Sequence, residues 1–122
     1  MSSSLFQKYG GFAAISRIIL SFYDKALDSD QIGDFFVDID MKRLVDHQTK
    51  FIATLLGGPT SYTDERLGQL HANLGISDAD FDEMATLLAE ALNEFGFEPV
   101  DCDSVMRQIE ARRVHIVGKA TG

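Results

Sequence analysis

The spacing of apolar residues along the chain predicts a bundle of amphipathic helices. From Phe12 to Leu27 apolar side chains recur every three or four positions, which places them on one face of a helix. The same spacing returns from about Met41 to Leu56 and from about Asp78 to Phe95. Because no segment has the convincing pattern of a strand, the sequence predicts an all-α fold.

Residues that start or stop helices divide these segments. Serine and aspartate favour the first position of a helix, whereas glycine and proline favour its end or the following loop. The apolar segment from Ile32 to Phe36 is too short for a full helix. The start and stop signals are Ser2–Ser4, Gly10-Gly11, Asp28-Ser29-Asp30, Asp40, Gly57-Gly58-Pro59, Ser77 with Asp80, and Gly96. Ser77 and Asp80 have the spacing of a capping box. Pro99 marks the start of a last helix, which has Arg112 and Arg113 near its end.

The composition fits one globular domain over residues 1–122. Hydrophobic residues make up 45% and charged residues 25% of the chain, and the net charge is −8. A negative charge argues against nucleic acid and anionic membranes as partners, because both attract basic surfaces. No apolar run is long enough to span a membrane, and the single Cys102 suits a reducing compartment. We therefore expect a cytoplasmic protein, with the monomer as its expected state.

The segment from Arg66 to Ile76 carries one histidine, His71, on an apolar helical face. Three leucines share that face: Leu67, Leu70 and Leu74. Neutral imidazole is the commonest metal ligand among side chains, but a lone histidine can also be a core group bonded to a backbone carbonyl. For a lone histidine without other evidence the core interpretation is favoured, and the rest of the chain decides between the two.

A polar amide interrupts the apolar face of the segment that begins near Met41. Gln48 lies four residues after Leu44 and three before Phe51, in the middle of the apolar stripe. An amide left unpaired in such a position costs about 1–3 kcal/mol. Gln48 therefore needs either a partner within the protein or a ligand.

Seven short segments give the chain a resemblance to the group I truncated haemoglobins over nearly its whole length. They follow the order of that family at near-constant spacing, so their combination is highly specific. The segments are KYGG (8–11), SFYDKAL (21–27), DFFVDIDM (34–41), HQTKF (47–51), LLGGPTSYT (55–63), LHANLGI (70–76) and DADF (78–81). The resemblance implies a truncated globin fold, a two-on-two helical sandwich around a haem.

The resemblance also implies roles for individual side chains around haem b. His71 would be the proximal iron ligand, and Phe36 would pack on the porphyrin. Tyr23 and Gln48 would project into the ligand side, where a hydroxyl or amide donor stabilises negative charge on bound dioxygen by about 1 kcal/mol or more. The residues expected around the cofactor are Phe36, Met41, Leu44, His47, Phe51, Tyr62, Leu67, His71, Ile76, Phe81 and His115, and those expected around the ligand are Tyr23, Leu44, Gln48 and Ile52.

Two further histidines have alternative interpretations under the resemblance. Some family members use a histidine at the position of His47 as a second iron ligand, whereas the alternative is a solvent-facing histidine near a haem propionate. If one extra residue is allowed near Glu98–Val100, His115 matches a histidine that bonds covalently to a haem vinyl group in a few relatives. The alternative for His115 is a frayed terminal histidine without a role.

The sequence supports two hypotheses of function from different classes. The first is a haem protein that binds O2, CO and NO. Its expected enzymatic activity is the oxidation of NO to nitrate, and its expected partner is an unidentified reductase or other electron donor. The second is a cofactor-free helical interaction or sensor module, in which Tyr23 and Gln48 are ordinary polar residues of the core. The optical spectrum of the purified protein distinguishes the two hypotheses.

Overall fold

The computed structural model describes residues 4–59 and 76–117, and helices make up most of both ranges. The helices are Leu5–Lys8 (α1), Gly11–Leu27 (α2), Met41–Leu55 (α3), Asp78–Glu94 (α4), Pro99–Ala111 (α5) and Arg113–Ile116 (α6), with a 3-10 turn at Gly33–Phe36 between α2 and α3. No strand occurs in these two ranges, and the predicted all-α class is confirmed. None of the described helices is both long and apolar enough to cross a lipid bilayer.

Side-chain caps fix the starts of the helices that flank the cavity described below. The Asp40 carboxylate accepts a hydrogen bond from the backbone N–H of Arg43 at 3.2 Å and so begins α3. Ser77 and Asp80 each accept from the backbone N–H of the other at 3.0 Å, which is the reciprocal capping box predicted for α4. The predicted caps at Asp40 and Ser77 are therefore confirmed.

The glycine pair after α3 lets α1 dock against the end of that helix. Gly57 has a φ of 81°, a left-handed conformation that favours glycine. A Cβ at Gly58 would lie 2.6 Å from the Phe6 ring, so only glycine leaves room for this ring. The backbone N–H of Phe6 also donates to the carbonyl of Leu56 at 2.9 Å.

Two pairs of helices form the body of the fold. Helix α2 packs against both α3 and α4, and α4 packs against α5. The Gln108 side chain on α5 donates to the Leu55 carbonyl at the end of α3 at 3.0 Å, which links the two pairs again. The apolar faces meet in one core, where Ile15, Leu92 and Val105 are 0% exposed. This arrangement is the predicted two-on-two helical sandwich.

A hydrogen-bonded group holds α1 to the start of α5. The Tyr9 hydroxyl donates to the Asp101 carboxylate at 2.5 Å and accepts from the backbone N–H of Glu98 at 3.0 Å. The Tyr9 ring stacks on Phe97 with 3.7 Å between centroids. Lys8 pairs with the carboxylates of both Glu98 and Asp101. These contacts close the end of the bundle away from α6.

The end of the described chain folds back onto the start of α4. The sequence predicts one last helix, but the structure ends α5 at Ala111 and forms a separate turn, Arg113–Ile116. The Arg113 guanidinium pairs with the carboxylates of Asp78 and Asp82 and lies 4.3 Å from the centre of the Phe81 ring. Arg113 therefore binds a distant helix, in addition to any interaction with its own helix end.

Candidate functional site

A cavity that is partly open to solvent lies between the helices of the sandwich. Its walls are mostly apolar, and its polar lining residues are Tyr23, Gln48 and Asp80. The apolar lining residues are Ile19, Phe22, Ile32, Phe35, Phe36, Ile39, Leu44, Phe51, Ile52, Ile76, Met84, Ala85, Leu88, Ile109 and Ile116.

Helix α2 contributes a tyrosine whose side chain is 5% exposed and whose hydroxyl has no hydrogen-bond partner among the described residues. Ile19 precedes Phe22 by three residues and Tyr23 by four. The three side chains therefore lie on one side of the helix, and all of them line the cavity. Tyr23 is 5% exposed, and among residues 4–59 and 76–117 nothing forms a hydrogen bond with its hydroxyl. Burial raises the pKa of Tyr23, which keeps the hydroxyl protonated and able to donate.

Two aromatic rings hold the Tyr23 ring instead of a polar partner. The Phe22 and Tyr23 ring centroids are 4.8 Å apart at an interplanar angle of 63°. The Phe36 ring, which comes from the 3-10 turn, meets Tyr23 at 5.5 Å and 77°. Both are edge-to-face contacts, an arrangement that aromatic pairs favour.

Helix α3 contributes the second polar lining residue. Leu44, Gln48, Phe51 and Ile52 follow the spacing of one helical face, and that face lines the cavity. The Gln48 side chain is half-buried, and its amide forms no hydrogen bond within the described part of the chain. The partner within the protein that the sequence allowed for Gln48 is therefore not found among these residues.

The third polar lining residue, Asp80, already has partners. Its carboxylate accepts from the Ser77 backbone N–H at 3.0 Å and from the Gln31 side chain at 3.1 Å. These bonds lower the pKa of Asp80, so the group is ionised at neutral pH. Because Gln31 precedes Ile32 and Ser77 follows Ile76, the carboxylate ties together two segments that line the cavity.

Several predicted site residues meet at this cavity, and others lie beside it. Those that line it are Tyr23, Phe36, Leu44, Gln48, Phe51, Ile52 and Ile76. Met41 and His47 are half-buried on α3 and do not line it, and the 1% exposed Phe81 lies beneath Arg113. His115 is half-buried and immediately precedes the lining residue Ile116.

Three predicted site residues, Tyr62, Leu67 and His71, lie outside the described residues. Within residues 4–59 and 76–117 no group of three histidine, cysteine, aspartate or glutamate side chains is arranged to hold a metal ion. The roles predicted for His71 and its neighbours therefore stay predictions.

The sequence interpretation did not assign several cavity residues to the site. They are Ile19, Ile32, Phe35, Ile39, Asp80, Met84, Ala85, Leu88, Ile109 and Ile116. Ile19, Met84, Leu88 and Ile109 occupy apolar positions of the predicted helices, so the periodic pattern does contain these four. That pattern does not separate a side chain facing a cavity from one packed in the core.

Proteins of similar sequence and fold are truncated haemoglobins. The bacterial-like globin family matches residues 4–118. The group 1 truncated haemoglobin of Mycolicibacterium paratuberculosis is 35% identical over 94 residues, which cover 77% of this chain and 69% of that protein. The Fe(III) form of truncated haemoglobin from Tetrahymena pyriformis has a TM-score of 0.87 and 29% identity, covering 96% of this chain and 100% of that chain.

A cyanobacterial structure is similar to the same degree. The 2/2 haemoglobin of Synechococcus sp. PCC 7002, solved in the cyanomet state with covalently attached haem, has a TM-score of 0.86. It is 28% identical and covers 94% of this chain and 98% of that chain. The similarity thus extends over nearly the whole length of both solved structures.

Proposed function

Since this chain belongs to the group 1 truncated haemoglobins, within the bacterial-like globin family, we propose that its cavity binds haem b and that the protein binds O2, CO and NO there. Membership of the family implies a haem cofactor and the binding of diatomic gases such as O2. The particular gases, the haem type and the residue roles below are our proposal.

The observation that carries the proposal is the Tyr23 hydroxyl, which has no partner among the described residues and belongs to a side chain that lines a mostly apolar cavity. Apolar walls suit the flat face of a porphyrin. A hydroxyl without an acceptor costs about 1–3 kcal/mol where water is excluded, and within the described part of the chain Tyr23 has no acceptor. A ligand that accepts its hydrogen bond removes this cost. The lining therefore suits a haem with a small polar ligand beside it.

We propose His71 as the axial iron ligand and Phe36 as the ring that packs on the porphyrin. Leu44 and Phe51 on α3, together with Ile76 just before α4, supply apolar wall from two separate segments of the chain. The other residues proposed around the haem are Met41, Tyr62, Leu67 and Phe81. Haem, when bound, supplies the iron that binds the gas, and the protein supplies the axial imidazole and the polarity of the cavity.

Tyr23 and Gln48 are the proposed hydrogen-bond donors to the gas, with Leu44 and Ile52 as apolar walls beside it. Both donors line the same cavity from different helices, α2 and α3. Each donor stabilises a ligand that carries partial negative charge by about 1 kcal/mol, which corresponds to about a fivefold slower loss. CO carries less charge, so we expect the donors to favour O2 over CO.

We propose His47 as a second iron ligand that closes the site. It precedes Gln48 on α3 and is half-buried, so a modest shift of that helix brings it towards the cavity. If the closed state makes up about 99% of the population, apparent gas affinity falls about a hundredfold. A low-spin ferric spectrum without added ligand supports this role, whereas a high-spin, water-bound spectrum contradicts it.

We propose that, when haem is bound, a ring nitrogen of His115 can bond to a haem vinyl carbon. The new C–N bond would replace the vinyl π bond, and the imidazole N–H proton would pass to the other vinyl carbon. His115 immediately precedes Ile116, which lines the cavity, and a structural relative carries covalently attached haem. After reduction of the loaded protein, acid and organic solvent should leave haem on the chain. Complete extraction of the haem contradicts the bond.

We propose oxidation of NO to nitrate as the turnover activity of this site. The reaction combines NO with O2 and takes one electron, so it requires an electron donor. An unidentified reductase fills that role in the proposal, and we place the protein in the cytoplasm as a monomer. Nitrate formation from NO and O2 in the presence of a reductant tests the activity directly.

Optical spectra in the ferric, ferrous and CO-bound forms test haem binding itself. We expect a sharp Soret band that shifts when CO is added to the ferrous protein. The His71→Ala variant should lose haem or hold it only through His47. A colourless, stably helical protein after haem has been offered contradicts the proposal and favours a cofactor-free helical module.

A further inference from the structure

No polar contact within the described residues sets the direction of the Tyr23 hydroxyl. The side chain is 5% exposed, yet nothing in residues 4–59 and 76–117 hydrogen-bonds to its oxygen. A hydrogen bond weakens steeply when its angle falls below about 120°. The strength of any bond from Tyr23 to a ligand therefore depends on what holds its ring.

Two phenylalanines hold that ring from different parts of the chain. Phe22 is adjacent on α2, is 5% exposed and meets Tyr23 edge to face at 4.8 Å. Phe36 belongs to the 3-10 turn and meets Tyr23 at 5.5 Å. A rotation of the tyrosine ring changes both contacts, so the two phenylalanines fix its orientation together.

We propose that Phe22 is a positioning residue that holds the Tyr23 hydroxyl towards a gas ligand in the cavity. The inference rests on the proposed function and adds a determinant of ligand release. Phe22 acts through Tyr23, so its replacement weakens the Tyr23 hydrogen bond without removing the hydroxyl. Phe36 is less suitable for the test because it is also expected to contact the haem.

Phe22 lines the cavity itself, so a direct steric effect on the ligand must be separated from an effect through Tyr23. A double-mutant cycle makes this separation. It compares the wild type, Phe22→Leu, Tyr23→Phe and the double variant, all loaded with haem. The measurements are the O2 dissociation rate by stopped flow and the stretching frequency of bound CO by infrared spectroscopy.

We expect Tyr23→Phe to speed O2 dissociation about fivefold or more, in line with the loss of one hydrogen bond. Phe22→Leu alone should give at least half of that change on a logarithmic scale. In the Tyr23→Phe background, the same Phe22→Leu change should alter the rate by less than about 1.5-fold, because coupled residues are not additive. The CO stretch should shift in both single variants in the same direction, with no further shift in the double variant.

Phe97→Leu is the matched control for loss of a buried ring. Phe97 is 4% exposed and stacks on Tyr9, away from the cavity lining. Its replacement removes as many atoms from the interior, so it should cost similar stability while leaving O2 dissociation and the CO stretch as in the wild type. If Phe22→Leu does not fold, Phe22→Met repeats the cycle with a flexible side chain that fills irregular gaps better.

Each result decides the inference. Wild-type kinetics in Phe22→Leu overturn it, and so does an equal effect of Phe22→Leu with and without the Tyr23 hydroxyl. A change in Phe97→Leu as large as that in Phe22→Leu also overturns it. Failure of the proposed function is recognised separately, because then the wild type takes up no haem or Tyr23→Phe itself leaves O2 dissociation unchanged.

Discussion

Replacing Tyr23 by phenylalanine should stabilise the haem-free protein while weakening its hold on O2. The Tyr23 side chain is 5% exposed and lines the cavity, and the described residues offer its hydroxyl no hydrogen-bond partner. An unpaired hydroxyl costs about 1–3 kcal/mol where water is excluded, and Tyr23→Phe removes the group while keeping the ring. The free energy of unfolding should therefore rise by about 1 kcal/mol or more, less any water bond that the hydroxyl retains in the open cavity.

The same substitution at Tyr9 provides a control of opposite sign. The Tyr9 hydroxyl donates to Asp101 and accepts from the Glu98 backbone N–H. Tyr9→Phe leaves both groups without this partner, so it should lower the free energy of unfolding. Each variant loses one tyrosine hydroxyl oxygen. A difference in stability between the two variants therefore reflects the different surroundings of the two hydroxyls.

Urea denaturation of the haem-free proteins, followed by circular dichroism, measures both effects. The midpoint should rise for Tyr23→Phe and fall for Tyr9→Phe at an unchanged slope. Stopped-flow measurement of O2 release from the loaded Tyr23→Phe protein should then show about fivefold faster dissociation. A lower midpoint for Tyr23→Phe would refute the reasoning, because the hydroxyl would then have an acceptor within the fold.

The remaining predictions concern the cavity edge, acid stability and the turn after α3. Gln31→Ala removes the hydrogen bond to Asp80 and should speed haem transfer to an acceptor globin several-fold. An unchanged rate means that the hydrogen bond between Gln31 and Asp80 does not hold the cavity closed. Folding lowers the pKa of both Asp80 and Asp101 below the unfolded value of 3.8. The stability that these carboxylates contribute is therefore present above pH 3.8 and should be lost as the pH falls below that value. An acid titration followed by circular dichroism measures this loss. Gly58→Ala places a Cβ 2.6 Å from the Phe6 ring, and urea denaturation should show a free energy of unfolding that is lower by about 1–3 kcal/mol. Adding Phe6→Ala to Gly58→Ala should recover part of this loss, because it removes the ring that the Cβ meets.

Local patterns predicted the helices well because local forces set their limits. Helix α2 runs from Gly11 to Leu27 and α3 from Met41 to Leu55, within one residue of the predicted bounds. The capping box between Ser77 and Asp80 depends on side chains only three residues apart, and spacing alone reveals it.

The cavity was harder to predict because it depends on distances between helices. Ile15 and Ile19 occupy equivalent apolar positions on α2, yet Ile19 lines the cavity and Ile15 is 0% exposed in the core. The roles of Tyr23 and Gln48 came from the resemblance to a family, since an apolar pattern marks them only as polar exceptions. The edge-to-face contact between Phe22 and Tyr23 required the ring positions themselves.

Arg113 shows a further limit of local interpretation. Its place near the end of the chain predicted a favourable interaction with the helix terminus. In the structure it also pairs with Asp78 and Asp82 on a different helix. Sequence spacing carries no signal for a partner so far away along the chain.

The anchoring of α6 by Arg113 has a consequence for partial digestion of the protein. Trypsin cleaves after arginine, and a cut after Arg112 or Arg113 would detach Ile116, which forms part of the cavity wall. The Arg113 guanidinium is engaged by Asp78 and Asp82 in the folded chain, which shields that bond from the protease. The rate at which trypsin removes α6 should therefore measure how often α6 detaches from α4.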